Sequence, residues 1–188
     1  LGIDPGRIQK VVLSHIHGDH VGGLFGLLEE NNAVTVYLPA SFPQEFKTQV
    51  QRSGARVVEV HGPMEIGEGV YSTGELGTWI KEQALVVEGP EGLVVITGCA
   101  HPGIVEIVQR AKEIGEERVH LVLGGFHMAG MSEDRVRTVI EAFRALGVAR
   151  VAPCHCSGDL TRRLFQEAWG DGFYPAGVGW SIELPAAP

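Results

Sequence analysis

Residues 11–23 read Val11-Val12-Leu13-Ser14-His15-Ile16-His17-Gly18-Asp19-His20-Val21-Gly22-Gly23. An apolar run of strand character leads into three histidines and an aspartate within six residues, and helical sequence follows at once. In an extended segment residues i and i+2 point the same way, so His15 and His17 can turn both imidazoles toward one cation. Asp19 and His20 then fall in the tight turn after the strand, where a neighbouring second cation is within reach. Gly18, Gly22 and Gly23 leave the backbone free to fold that closely. A surface loop that happens to be rich in histidine is the bland alternative, but chance rarely places four metal-competent side chains at this spacing after a strand.

Working outward, three more apolar runs end in residues of the same chemistry. Val94-Val95-Ile96-Thr97-Gly98 leads to Cys99 and His101, Leu121-Val122-Leu123-Gly124-Gly125-Phe126 to His127, and Val151-Ala152-Pro153 to Cys154-His155-Cys156. Cys99 can bind a metal as its thiolate or serve as a small buried strand-end residue. His127 is either a rim residue that meets substrate or a structural hydrogen-bonder. Strand alternation would point Cys154 and Cys156 away from His155, into packing on the opposite side. His61, before Gly62-Pro63, reads as a turn residue, and His120 as a hydrogen-bonded histidine within a strand. Arg162 and Arg163 can meet an anionic substrate, though a solvated helix face explains them as well.

Short β-branched runs predict strands at 11–14, 34–38, 56–60, 69–73, 84–88, 93–98, 119–124, 149–153 and 180–184. The segment 82–97 reads as a hairpin with a five-residue turn, 88–92. A helix capped by Ser132 shows Val136, Val139, Ile140 and Phe143 on one face and ends at Gly147. Another opens at Pro102 and stops at Gly115, and weaker helices fall at 21–30, 43–53 and 159–168. The order is mixed α/β, with helices covering sheets on their outer faces and the loops after strands forming the functional rim. Residues 1–188 read as one domain.

The His-x-His-x-Asp-His run followed by Gly-Gly-Leu resembles the signature of the metallo-β-lactamase superfamily. That resemblance implies an α/β fold, a four-layer αβ/βα sandwich with metals at one edge. The motifs Gly98-Cys99-Ala100-His101-Pro102-Gly103-Ile104, Gly124-Gly125-Phe126-His127 and Pro153-Cys154-His155-Cys156 look like one subgroup of it. That subgroup includes proteins named as the dihydropterin ribofuranosyl-aminobenzene phosphate synthase of methanopterin biosynthesis. The implied role is a metal-dependent hydrolase that uses a metal-bound hydroxide on a small, anionic ester, thioester, lactone or phosphoester. The alternatives are a synthase on a phosphorylated ribosyl or pterin substrate and a redox or metal-sensing module. His15, His17 and His101 are expected to hold one metal and Asp19, His20 and His155 a second, with Asp19 also acting on the proton of the attacking water. One or two divalent transition-metal ions are implied, zinc first, then iron or manganese. Relatives usually supply a histidine near Ser72-Thr73-Gly74-Glu75 and an aspartate where Cys99 stands; this chain has neither, and His101 is the expected replacement for the histidine. Several strands generally precede the motif in the superfamily, whereas only residues 1–9 do here, so the chain is expected to be N-terminally incomplete.

The 188 residues are 44% hydrophobic and 20% charged, which excludes disorder as the main state. The longest uncharged apolar runs, such as 93–100, fall well short of the roughly 20 residues of a membrane helix, so no membrane partner is expected. A net charge of −8, with no basic cluster beyond Arg162-Arg163, argues against nucleic acid and for a small-molecule substrate. Three cysteines make no disulfide framework and suit a reducing, cytoplasmic location; they also fall short of the four thiolates of an iron–sulfur cluster. Oligomeric state is not legible.

Overall fold

The computed structural model describes residues 2–115 and 118–183. Two sheets form its centre. The first is all parallel, in the order β1 (Lys10–Val12), β2 (Thr35–Pro39), β3 (Arg56–Val60). Between these strands lie α1 (Gly18–Val21), α2 (Leu24–Glu30) and α3 (Gln44–Arg52). Leu24, Leu28 and Val50 on the last two helices pack with Phe42 against Leu13, Val34, Val36 and Leu38, so one face of this sheet is sealed by helices.

The second sheet has six strands in chain order: β4 (Met64–Gly67), β5 (Val70–Ser72), β6 (Leu85–Gly89), β7 (Gly92–Thr97), β8 (Val119–Gly125) and β9 (Arg150–Cys154). The first four pair antiparallel and the last three parallel. The parallel pairs need crossovers, which α4 (Ile104–Ile114) and α5 (Glu133–Ala145) supply. These two and α6 (Asp159–Trp169) cover one face with Ile107, Val108, Val136, Phe143, Leu164 and Phe165 against Val86, Val95, Val122 and Val151. The alternate residues Val94, Leu121 and Ala152 face the other way and pack on Ala176, Tyr174, Trp180 and Ile182. Gln83 ties the two sheets: its backbone N–H donates to Ser14 O at 2.9 Å and its side-chain amide to Leu13 O at 2.8 Å. The layers are therefore helices, three-stranded sheet, six-stranded sheet, helices, the expected four-layer αβ/βα sandwich.

Several local expectations are corrected. The hairpin turn is two residues, Pro90-Glu91, because Glu88 pairs with Leu93 and Gly89 with Gly92 in the ladder. The 21–30 helix is two pieces, α1 and α2, separated at Gly22-Gly23. Ser132 sits at the N-cap of α5 without donating or accepting a side-chain cap bond, and Glu133 pairs with Arg137 instead. Helix α4 begins at Ile104, after Gly103 at φ 108, rather than at Pro102. No strand forms at 180–183, where Trp180 packs on Tyr174 instead of joining a ladder; residue 184 lies outside the described residues. β4 escaped notice because its four residues, Met64-Glu65-Ile66-Gly67, are too few for alternation to register. No helix among the described residues is long and apolar enough to cross a membrane.

Candidate metal centre

The carboxyl ends of β1, β7, β8 and β9 open on one rim, and every residue singled out for its metal chemistry sits there. After β1 the chain leaves the ladder, bends at Ile16 and turns into α1 at Gly18. His15 and His17 nevertheless come together, with ring centroids 4.8 Å apart, and His101 closes a triangle with them at 4.6 and 4.8 Å. Asp19 and His20 lie in α1; His155, in the turn after β9, brings its Nε2 to 3.2 Å from His20 Nε2.

Four groups of three donors have their ligand atoms within 4.8 Å of one another: His15/His17/His101, Asp19/His20/His155, His15/His20/Cys99 and Cys99/His127/Cys156. The first two are the sets read from the sequence. His61 and His120 belong to none of the groups found among the described residues; His120, in β8, lies 3.3 Å from Glu91 of the β6–β7 turn. Arg163 pairs with Glu167 on the exposed face of α6. The rim is less open than the loop positions suggested: His15 is fully buried and Cys99 nearly so, while His17, Asp19, His127 and His155 are exposed.

Two residues that sequence reasoning missed aim the imidazoles. Ser14 Oγ lies 3.0 Å from His15 Nδ1 and 3.4 Å from His20 Nδ1, leaving the Nε2 atoms of both to face inward. Glu82, also fully buried, accepts from the backbone N–H of Cys99, Ala100 and His101 and lies 2.8 Å from His101 Nδ1. A Cβ on Gly98 would collide with Ser14 Oγ and lie 3.1 Å from Glu82 Oε1, so the Gly is what admits both. The available signal was the odd placement of a charged Glu82 and an amide Gln83 directly before the apolar Ala84-Leu85-Val86-Val87.

The donor set fits a metal ion. His15 Nε2 and His17 Nδ1 stand 3.1 Å apart, and His20 Nε2 and His155 Nε2 3.2 Å, near the roughly 3.4 Å that two metal–nitrogen bonds of about 2.1 Å span at a tetrahedral angle. Burial lowers the His15 pKa to about 4, with Glu82 opposing and the neighbouring imidazoles adding to the shift, so its lone pair is free at neutral pH. Burial also lowers His20, against the pull of Asp19. For Asp19 burial acts upward, but its backbone hydrogen bond and His20 and His155 outweigh it and keep the carboxylate low. Burial pushes the Cys99 thiol up.

The His15 shift sets a pH dependence. Above pH 6.5 the imidazole is neutral folded or unfolded; below it the unfolded chain takes up the proton first, and stability falls until about pH 4, where the folded form protonates too. We predict that the chelator-treated protein loses up to about 3 kcal/mol across that window from this residue, read as a falling urea midpoint. A His15→Gln variant should show a flatter profile between pH 6.5 and 5, and an unchanged slope would contradict the assignment.

A model of the metallo-beta-lactamase superfamily matches residues 1–112, more than half of the chain, including both motifs after β1 and β7. The chain belongs to the metallo-β-lactamase superfamily. Within it, the chain is 28% identical to the 7,8-dihydropterin-6-methyl-4-(beta-D-ribofuranosyl)-aminobenzene-5'-phosphate synthase of Methanocaldococcus jannaschii, over 98% of this chain and 78% of that one. The crystal structure of Tm1679, described as a metal-dependent hydrolase of the beta-lactamase superfamily, superposes with a TM-score of 0.82 at 29% identity, covering 98% of this chain and 82% of that one. A ribonuclease BN of Erwinia tasmaniensis is 38% identical, but across only 39% of this chain and 25% of its own length.

Proposed function

We propose that the protein is a metal-dependent hydrolase of a small, anionic ester, thioester, lactone or phosphoester. The observation that carries this reading is the meeting of two three-donor sets on one rim beside a cleft. His15, His17 and His101 would hold one divalent transition-metal ion and Asp19, His20 and His155 a second, zinc being favoured by a set of imidazoles with one carboxylate and iron or manganese next. Such ions supply a water that ionises near neutral pH and an electrophile for the bond under attack.

The chain's own residues do the rest. Asp19 Oδ2 lies 3.4 Å from both His20 Nε2 and His155 Nε2, which keeps the carboxylate ionised and turned to the rim, where it can receive the proton of the attacking water. The adjoining cleft, of about 420 Å³, is lined by Trp79, Ile80 and Pro102 on its apolar side and by Thr78, His101, Glu106 and His127 on its polar side. That volume suits a small molecule.

Full-length similarity to the Methanocaldococcus jannaschii synthase favours a second reading, synthesis on a phosphorylated ribosyl or pterin substrate. The test is metal content followed by turnover. Protein purified without chelator should hold one to two equivalents of metal and hydrolyse at least one member of a phosphodiester, thioester and lactone panel, with activity lost to chelator and restored by zinc, manganese or iron. Fewer than about 0.3 equivalents with no uptake of any of these ions would sink the metal centre. Full metal loading with turnover only when a ribosyl-phosphate acceptor and a pterin are both supplied would select the synthase.

A further inference from the structure

The three parallel strands β7, β8 and β9 end at Thr97, Gly125 and Cys154, and each is followed two residues later by a soft or borderline donor: Cys99, His127 and Cys156. Neighbouring strands in register deliver these side chains to one point, since Thr97 pairs with Gly124 and Gly125 with Cys154. The two sulfurs and an imidazole nitrogen of His127 all lie within 4.8 Å of one another, and Cys156 Sγ is 3.5 Å from Cys99 O. Strand alternation predicted that Cys156 would point away. It does not, because the chain leaves β9 at Cys154 and turns through His155 at φ 50, which swings Cys156 back to the rim, while Cys154 alone keeps to the apolar cluster of Ala152, Ala176 and Tyr174.

Backbone strain gathers in the same three turns. The non-glycine residues with positive φ among the described residues are Ala100, His127 and His155, one beside or within each donor turn. Each such conformation costs on the order of 1–3 kcal/mol, and such costs cluster where a ligand or reaction needs them. Room is made as well: a Cβ on Gly125 would stand 2.8 Å from Cys156 Sγ and 3.1 Å from Cys99 Cα.

We propose that Cys99, His127 and Cys156 form a separate site for a thiophilic d¹⁰ cation such as Zn²⁺, Cd²⁺ or Cu⁺, beside the histidine centre and distinct from its six ligands. Two sulfurs and an imidazole are a soft donor set, and zinc–sulfur bonds of roughly 2.3 Å place tetrahedral sulfurs about 3.8 Å apart, compatible with donor atoms that lie within 4.8 Å of one another. Binding replaces the two thiol protons, which leave to solvent, so no oxidant or reductant is consumed. His127 also lines the neighbouring cleft. Cys99 Sγ is also 3.2 Å from His20 Nε2, so the new site adjoins the histidine centre without requiring that centre to be filled.

Cadmium is the probe. Added to reduced protein, it should raise the ultraviolet thiolate-to-cadmium charge-transfer band, with an amplitude for two thiolates. Cys154→Ser should leave the band as it is. Cys156→Ser should halve it, and His127→Ala, a change at an exposed position, should weaken cadmium binding by at least about tenfold, the scale of losing even an outer partner. Circular dichroism of each variant reports folding, and His127→Ala alone decides the matter if Cys156→Ser does not fold. No band, a band unchanged by Cys156→Ser, or one lost with Cys154→Ser would overturn the site. Because the band reports sulfur only, a failure here is separable from a failure of the histidine centre, which metal content and hydrolysis report.

Discussion

Alanine at His17 or at Asp19 is expected to cut hydrolysis by about a thousandfold or more, since each change removes a donor to an ion worth several kcal/mol to the transition state. Stability should barely move. Both side chains are exposed, neither fills a core position, and surface changes of this kind stay within about 0.5 kcal/mol. The two variants should also separate in metal content: His17→Ala spares the Asp19, His20 and His155 set, and Asp19→Ala spares the His15, His17 and His101 set. Elemental analysis, the urea midpoint and turnover on the same preparations make the comparison. Turnover that survives both substitutions would show that the reaction does not run through these sets.

The ease with which this centre was read reflects how much of it is local. His15 and His17 stand two residues apart in the short connection after β1, and Asp19 and His20 in a turn whose glycines stand in the same thirteen residues, so no tertiary contact is needed to bring them together. His101 and His155 come from 81 and 135 residues further along, counting from His20, yet each lies in the turn after one of the three parallel strands β7, β8 and β9, and such strand ends share a rim. Glu82 carried no such signal. It precedes β6 in a stretch that reads as the start of a hairpin, and its value lies in backbone N–H groups of a loop seventeen to nineteen residues away. Cys156 was misread for the opposite reason: alternation was extended past Cys154, where the strand had already ended. At 180–183 the β-branched and aromatic residues that suggested a strand pack against a sheet face instead, because a hydrophobic strip has that choice whenever a face is uncovered.

Glu82 supports the other large effect. Its two oxygens take four short contacts, Oε1 from the N–H of Cys99 and Ala100 at 2.8 and 2.9 Å, and Oε2 from the N–H of His101 at 2.9 Å and from His101 Nδ1 at 2.8 Å. Burial alone would raise its pKa, but these donors outweigh it and keep the group an anion. The carboxylate thus holds the turn that carries Ala100 at φ 66 and fixes His101 as the Nδ1–H tautomer, with Nε2 left bare toward His15 and His17. Glu82→Ala would orphan three buried N–H groups and is expected to cost about 3–5 kcal/mol, seen as a lowered urea midpoint. Glu82→Gln separates structure from chemistry. The amide keeps the volume, and its oxygen can still accept from Cys99 and Ala100, but its NH₂ meets the two donors of His101. The imidazole relieves that clash by moving its proton to Nε2, where it blocks the lone pair. We therefore expect Glu82→Gln to fold and yet bind zinc about 10–100-fold more weakly in competition with a chromophoric chelator. Wild-type affinity in a folded Glu82→Gln protein would mean that His101 does not depend on this carboxylate for its orientation.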